Sequence, residues 1–351
     1  MKAVVKTQKA PGAELLEMPL PEIKPDEALI KIKVASICGT DVHIYNWDSA
    51  AQVYIKNVPQ ILGHEFAGEI VKTGKKVKKF RVGDYVSAET HFFCGKCAQC
   101  RNGQRHICET EKGKIFGLSC DGCFAEYAAV PERILWKNNP RLAPEIATLQ
   151  EPLGNAVYCA LGDYDKNLKG KKVLIFGDGP AGLLAAGVAK AEGARFVTLV
   201  GRHQKRLEIA GKIGADITLN EKENNATELL SQLLNIGKGF DVALEMAGSK
   251  NARDLAIKSV RDGGRLSLFG IDTDPFIIEN SGQYVRSAKK IIPITGRLIW
   301  RTWRETKRLL ESGLLDITPV ITHKFPLEEF EKGFRAMTER PKVSGKVILI
   351  P

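Results

Sequence analysis

Four cysteines, Cys94, Cys97, Cys100 and Cys108, stand within fifteen residues at the spacing C-x2-C-x2-C-x7-C. That density argues against a disulfide framework in a 351-residue chain whose first ten residues lack the apolar core of a secretion signal. It suits a closed tetrahedral Zn²⁺ site, with each sulfur about 2.3 Å from one ion. An iron–sulfur cluster is the competing use of four thiolates; four unrelated core thiols are the bland one. Four protein sulfurs leave no open position, so this lobe, spanning 92–110, fixes a fold and any reaction belongs elsewhere.

Elsewhere stand Cys38, in Ser36-Ile37-Cys38-Gly39-Thr40-Asp41-Val42-His43, and the adjacent pair His64-Glu65, in Gly63-His64-Glu65-Phe66-Ala67-Gly68. A thiolate, an imidazole and a carboxylate can hold a second zinc with one position free for substrate, which is how a reactive zinc differs from a structural one. Singly, Cys38 reads equally well as a small core residue and His64 as a locally bonded turn histidine. Together with the cysteine lobe they point to a site.

A third feature supplies a partner for such a metal. Gly177-Asp178-Gly179-Pro180-Ala181-Gly182 fits G-x-G-x-x-G, follows the apolar run Val173–Phe176 and opens an Ala-rich helix. In that context the glycines allow a tight turn, close approach to a pyrophosphate and close helix–strand packing. Asp178 is awkward there unless it points away from the phosphates. At the end of the next strand an NAD site usually carries Asp or Glu for the ribose 2′-hydroxyl. This chain reads Val200-Gly201-Arg202-His203-Gln204-Lys205-Arg206 instead. Gly201 then leaves room for a 2′-phosphate that Arg202 can hold bidentately, and Arg206 can stack on adenine or add a contact. NADP is favoured over NAD.

The elements that position these groups follow from periodicity. Short apolar runs with Gly and Pro between them, such as Ala28–Ile37, Glu65–Val71 and Asp84–Ala88, predict an antiparallel β-rich region. After about residue 168 strand and helix alternate, through Val173–Phe176, Phe196–Val200, Ile217–Leu219, Asp241–Met246 and Arg265–Phe269. That order predicts a doubly wound parallel sheet with helices on both faces. Beyond Thr295, helical stretches at Trp300–Ser312 and Leu327–Met337 flank Ile317–Thr322, and Val347–Ile350 reads as a final strand. The fold class is α/β. The expected division is 1–154 for a β-rich catalytic domain, 155–295 for a dinucleotide-binding domain, and 296–351 for a return that completes the first.

Composition sets the outer limits. A hydrophobic share of 44% and a charged share of 26% are those of a soluble globular protein. The net charge of +11 is spread along the chain, without the interleaved aromatics of a nucleic-acid platform. No apolar run approaches a membrane span. Eight cysteines, half of them grouped as ligands, fit a reducing compartment, the cytoplasm. Cys120-x2-Cys123 reads as buried thiols, and Trp300, Trp303 and Tyr284 as packing or subunit interface.

The order Cys-Gly-Thr-Asp-x-His, Gly-His-Glu, four cysteines, Glu-Pro-Leu-Gly-Asn and glycine loop resembles the zinc-dependent medium-chain alcohol dehydrogenases along essentially the whole chain. Within them the threonine dehydrogenase branch is most similar, on Cys38–Trp47, Gln150–Val157, Ile294–Arg297 and Ile321–His323. Polyol and sugar-acid dehydrogenases share most of these segments. The resemblance implies a Rossmann domain plus a GroES-like domain, and two zinc ions per chain. Cys38, His64 and Glu65 then match the ligands of the reactive zinc, and Glu151 an acidic residue approaching it from the far side. Thr40 and His43 match a proton relay that passes through the cofactor ribose. Ala181, Gly201, Arg206, Phe269, Gly270, Ile271, Ile294 and Thr295 fall at nucleotide-contact positions. The implied reaction is hydride transfer between a small secondary alcohol and a nicotinamide, by a homodimer or homotetramer. Gly201 is the departure, since an acidic residue is expected there. A non-catalytic relative that kept the fold is the remaining alternative.

Overall fold

The long run Glu27–Ile37 forms an eleven-residue strand, buried along most of its length, and it organises the first half of the molecule. It pairs antiparallel with Glu65–Thr73, Tyr127–Pro131 and Lys346–Ile350. Ile321–Pro326, Tyr85–Ala88 and Leu135–Lys137 complete a seven-stranded sheet. The register sets Ser36 directly opposite Glu65. Cys38 lies two residues past Ser36 and His64 one residue before Glu65, so strand pairing alone brings the three candidate ligands together. This computed structural model describes residues 1–49, 51–162, 165, 167–278 and 280–351.

The second sheet has six parallel strands in the spatial order Ile217–Asn220, Phe196–Gly201, Lys172–Phe176, Phe240–Glu245, Val260–Leu268, Lys290–Pro293. Its residues alternate between two cores. Val173, Ile175, Val197 and Leu199 face one cluster, and Leu174, Phe176 and Val200 the other. Both faces are therefore covered, which explains strands that are apolar throughout rather than alternating. Strand order reverses beside Lys172–Phe176, where doubly wound sheets bind dinucleotides. Among the described residues no helix is long and apolar enough to cross a membrane.

Three local features go beyond the sequence reading. Gln150–Val157 opens a nearly fully buried helix, Gln150–Leu161. Lys290–Pro293 is an additional edge strand. Within the segment Ile317–Thr322 that the two helices flank, a strand begins only at Ile321, because Thr318–Val320 forms a 3₁₀ turn around Pro319. Proline fixes its own φ and offers no N–H to a ladder.

Candidate active site

The Cys38 thiol, the His64 ring and the Glu65 carboxylate place one ligand atom each within 4.8 Å of one another. Cys38 caps the short helix Gly39–Asn46, whose first turn carries Thr40 and Asp41. Asp41 is fully buried, and sequence reasoning gave it no role. Its Oδ2 accepts the Cys38 N–H at 2.9 Å, and its Oδ1 lies 3.3 Å from His64 Nδ1. The carboxylate thus turns the other ring nitrogen of His64 toward the cluster, as acidic partners of metal-binding histidines do. The signal was available: Asp three residues after Cys38 is the reciprocal position of a capping box. Burial disfavours a charged His64 ring, but Asp41 and, after it, Cys38 outweigh burial and hold the pKa well above the ordinary value.

Glu65 is also fully buried. Its Oε2 accepts from both Ser36 Oγ and Lys346 Nζ, whereas Oε1 has no hydrogen-bond partner. An orphaned buried carboxylate oxygen beside a thiol and an imidazole is what a missing cation would satisfy. Sulfur, nitrogen and oxygen donors suit zinc. The residues present fit the metal.

Thr40 Oγ1 lies 3.9 Å from Cys38 Sγ. His43, on the same helix, is exposed, and its Nδ1 is 2.6 Å from Asp48 Oδ2. Glu151 does not join the three-residue cluster. Its carboxylate lies 2.6 Å from Arg297 Nη1 and accepts from Thr90 Oγ1 at 3.1 Å. Arg297 also donates through Nε to Glu89 Oε2 at 2.8 Å, and Trp303 Nε1 donates to the same oxygen at 2.8 Å. Burial alone would raise the Glu89 pKa, but Arg297 holds it well below the usual carboxylate range. This Glu89–Arg297–Glu151 group went unread because Arg297 lies more than a hundred positions from either carboxylate. Trp303 belongs partly to it, while Trp300 stacks on Trp136. Tyr284 stands apart, its hydroxyl donating to the Lys289 carbonyl at 3.0 Å.

In the cysteine lobe Cys94 and Cys100 sulfurs are 3.9 Å apart, and Cys97 and Cys108 sulfurs 3.8 Å. A tetrahedron with zinc–sulfur bonds of ~2.3 Å has edges of about 3.8 Å. The Thr110 hydroxyl, with the backbone N–H groups of Lys96 and Cys97, pushes the Cys94 thiol down to about 5. That favours the thiolate a metal requires. Cys123 is buried as expected, but Cys120 is exposed.

The glycine loop joins Lys172–Phe176 to the helix Pro180–Ala191. A Cβ on Gly182 would lie 1.9 Å from the Gly177 carbonyl oxygen, so only glycine closes this turn. Gly179 caps the helix in extended geometry, and Pro180 and Ala181 open it. Asp178 turns away onto the neighbouring strand end. Its Oδ2 accepts the N–H of Arg202 at 2.8 Å and of His203 at 2.7 Å. A Cβ on Gly201 would sit 2.5 Å from Asp178 Cβ. The expectation that Gly201 leaves an open volume is therefore corrected, because the Asp178 side chain fills it. Arg202 is paired with Glu221 rather than free. Arg206 is buried, with Nε donating to the Ser344 carbonyl at 2.6 Å, so adenine stacking is not what fixes it. Phe269 and Gly270 follow the strand Val260–Leu268, and both their N–H groups donate to the Glu245 carbonyl. Ile271 beyond them is exposed. Ile294 and Thr295 follow Lys290–Pro293, with Ile294 buried. These positions all collect at the carboxyl ends of the parallel strands.

A sheet that binds dinucleotides, an S,N,O cluster and a four-sulfur lobe together define a metal-dependent dehydrogenase. Residues 24–140 match the alcohol dehydrogenase GroES-like domain and residues 180–312 the zinc-binding dehydrogenase domain, and the chain belongs to that zinc-binding alcohol dehydrogenase family. Zinc and a nicotinamide are its cofactors. The L-threonine 3-dehydrogenase of Bacillus velezensis is 46% identical over 351 residues, covering 100% of this chain and 99% of that one. Among solved structures, an alcohol dehydrogenase from Thermus sp. ATN1 has a TM-score of 0.88 at 30% identity, covering 100% of this chain and 99% of that one. One from Escherichia coli CFT073, complexed with NADH, has a TM-score of 0.88 at 26% identity with the same coverage.

Proposed function

We propose that this enzyme oxidises the secondary hydroxyl of L-threonine to 2-amino-3-oxobutanoate, reducing NADP⁺ in preference to NAD⁺. The carrying observation is the unsatisfied Glu65 oxygen facing Cys38 and His64, with Thr40 on the adjoining helix turn. Identity of 46% over the whole chain to an L-threonine 3-dehydrogenase supports the substrate. Cys38, His64 and Glu65 hold a reactive zinc, and Cys94, Cys97, Cys100 and Cys108 a structural one, two ions per chain. Zinc supplies a Lewis acid that makes the substrate hydroxyl more acidic, and the nicotinamide supplies the hydride acceptor.

Thr40 Oγ relays the hydroxyl proton, accepting it while giving up its own, and His43, exposed and oriented by Asp48, is the terminal group that hands a proton to solvent. Alcohol and oxidised nicotinamide become ketone, reduced nicotinamide and one proton. Glu151, held back by Arg297 and Thr90, is the reserve carboxylate beside the metal. The NADP⁺ reading draws support from Arg202 and Arg206, and from the strand end at Gly201, which bears no carboxylate of its own. The Asp178 carboxylate is engaged by backbone N–H groups. Residues 155–295 form the nucleotide-binding domain, and 1–154 with 296–351 the catalytic one. Eight cysteines, none of them in a disulfide, support a reducing, cytoplasmic setting. Exposed Ile271, Ile277 and Val285 support a homodimer or homotetramer.

Initial rates on L-threonine, a hexitol and a hexonate, each with both nucleotides, test this reading. The highest kcat/KM is expected for L-threonine with NADP⁺; a hexitol in first place would reassign the substrate. Thr40→Ala is expected to lower kcat by about 10²–10⁴ while zinc content stays at the wild-type value. Normal kcat with a raised KM would instead make Thr40 a packing residue.

A further inference from the structure

At the ribose end of the nucleotide sheet the charges do not balance. Arg206 is 5% exposed, yet among the described residues its guanidinium has no carboxylate in ion-pair contact, only the Ser344 carbonyl on Nε. That bond ties the helix Gln204–Ile213 to the segment leading into the strand Lys346–Ile350. Two further cations, Arg340 and Lys342, lie on this segment. Lys342 is half-buried, and neither residue has an ion-pair partner among the described residues. Burial, and then the Arg206 and Arg340 charges, hold the Lys342 ammonium below its ordinary pKa. Asp178 lies within electrostatic reach of both Arg206 and Lys342. Its oxygens are already engaged by the Arg202 and His203 N–H groups and the His203 ring. Arg206 and Lys342 thus share one carboxylate that is already occupied, and Arg340 adds a further positive charge beside Lys342. A buried charge without a counterion is costly, so an anion is the missing member.

The group lies where a strand end and the following helix meet the adenosine ribose in doubly wound sheets. We propose that Lys342, together with Arg206, seats the 2′-phosphate of NADP⁺, so that a segment outside the nucleotide sheet takes part in choosing the cofactor. The proposal rests on the NADP⁺ reading above. It also shifts the weight of that reading from Arg202, which Glu221 already holds, to residues whose charges are unmatched.

Calorimetric titration with adenosine 2′,5′-bisphosphate and with 5′-AMP separates the two readings. For Lys342→Met the bisphosphate is expected to bind about tenfold more weakly or worse, the loss expected from one charge-assisted hydrogen bond. The loss should be confined to that probe, and Lys342→Arg should restore most of it. A Lys342→Met protein that binds both probes as wild type does, while wild type still favours the bisphosphate, would overturn the Lys342 assignment and leave the NADP⁺ reading standing. Equal weakening of both probes would also overturn it, since the lysine would then serve the shared 5′ end or the fold. Wild type binding both probes equally would refute the NADP⁺ reading itself.

Discussion

Cys38→Ser is expected to abolish turnover, by roughly a thousandfold or more, and to lower zinc from about two equivalents to about one. Losing the Lewis acid removes several kcal/mol of transition-state charge stabilisation, and each 1.4 kcal/mol is about a factor of ten in rate. The lobe around Cys94 is built from its own helix turn and its own N–H···S bonds, so its metal should remain. Circular dichroism should match wild type, because Cys38 is only partly buried and serine nearly fills its volume. Zinc measured after gel filtration, beside the rate, decides the matter. Two retained equivalents with full activity would show that Cys38 holds no metal.

Arg297→Met should produce the largest loss of stability. Arg297 is 1% exposed, and it compensates two carboxylates, Glu89 and Glu151, that are themselves buried. Removing one partner of a buried pair costs about 3–5 kcal/mol, because the other charge is left without compensation. The methionine preserves volume along the stem, so the effect reports charge rather than packing. Adding Glu89→Gln should recover part of the loss. Thermal midpoints of the single and double variants give the comparison. A single variant as stable as wild type would mean that solvent reaches these carboxylates and that the group is ornamental to the fold.

Much of this molecule could be read before folding it. Adjacent metal ligands, such as His64 and Glu65 or the four cysteines, announce themselves because local spacing fixes their geometry. So did the parallel strands, since burial on both faces leaves continuous apolar runs. The Glu89–Arg297–Glu151 group was hidden because ordinary charged residues carry no spacing signal when 208 positions separate Arg297 from Glu89. Gly201 was misread for a related reason. A glycine in a sequence looks like space, and only the fold reveals that Asp178, 23 positions earlier in the chain, already fills it.

The Glu65–Lys346 bond also bears on when the site can exist. The two residues are 281 positions apart. At the ordinary pace of synthesis, 5–20 residues per second, Glu65 waits roughly 15–55 s for its ammonium partner. During that interval the carboxylate has neither its countercharge nor the neighbouring strand Lys346–Ile350 that shields it. The cysteine lobe, confined to 15 residues, faces no such delay. A nascent chain would thus acquire its structural metal early and its reactive centre last, and a ribosome-bound protein would be metal-bearing but inert.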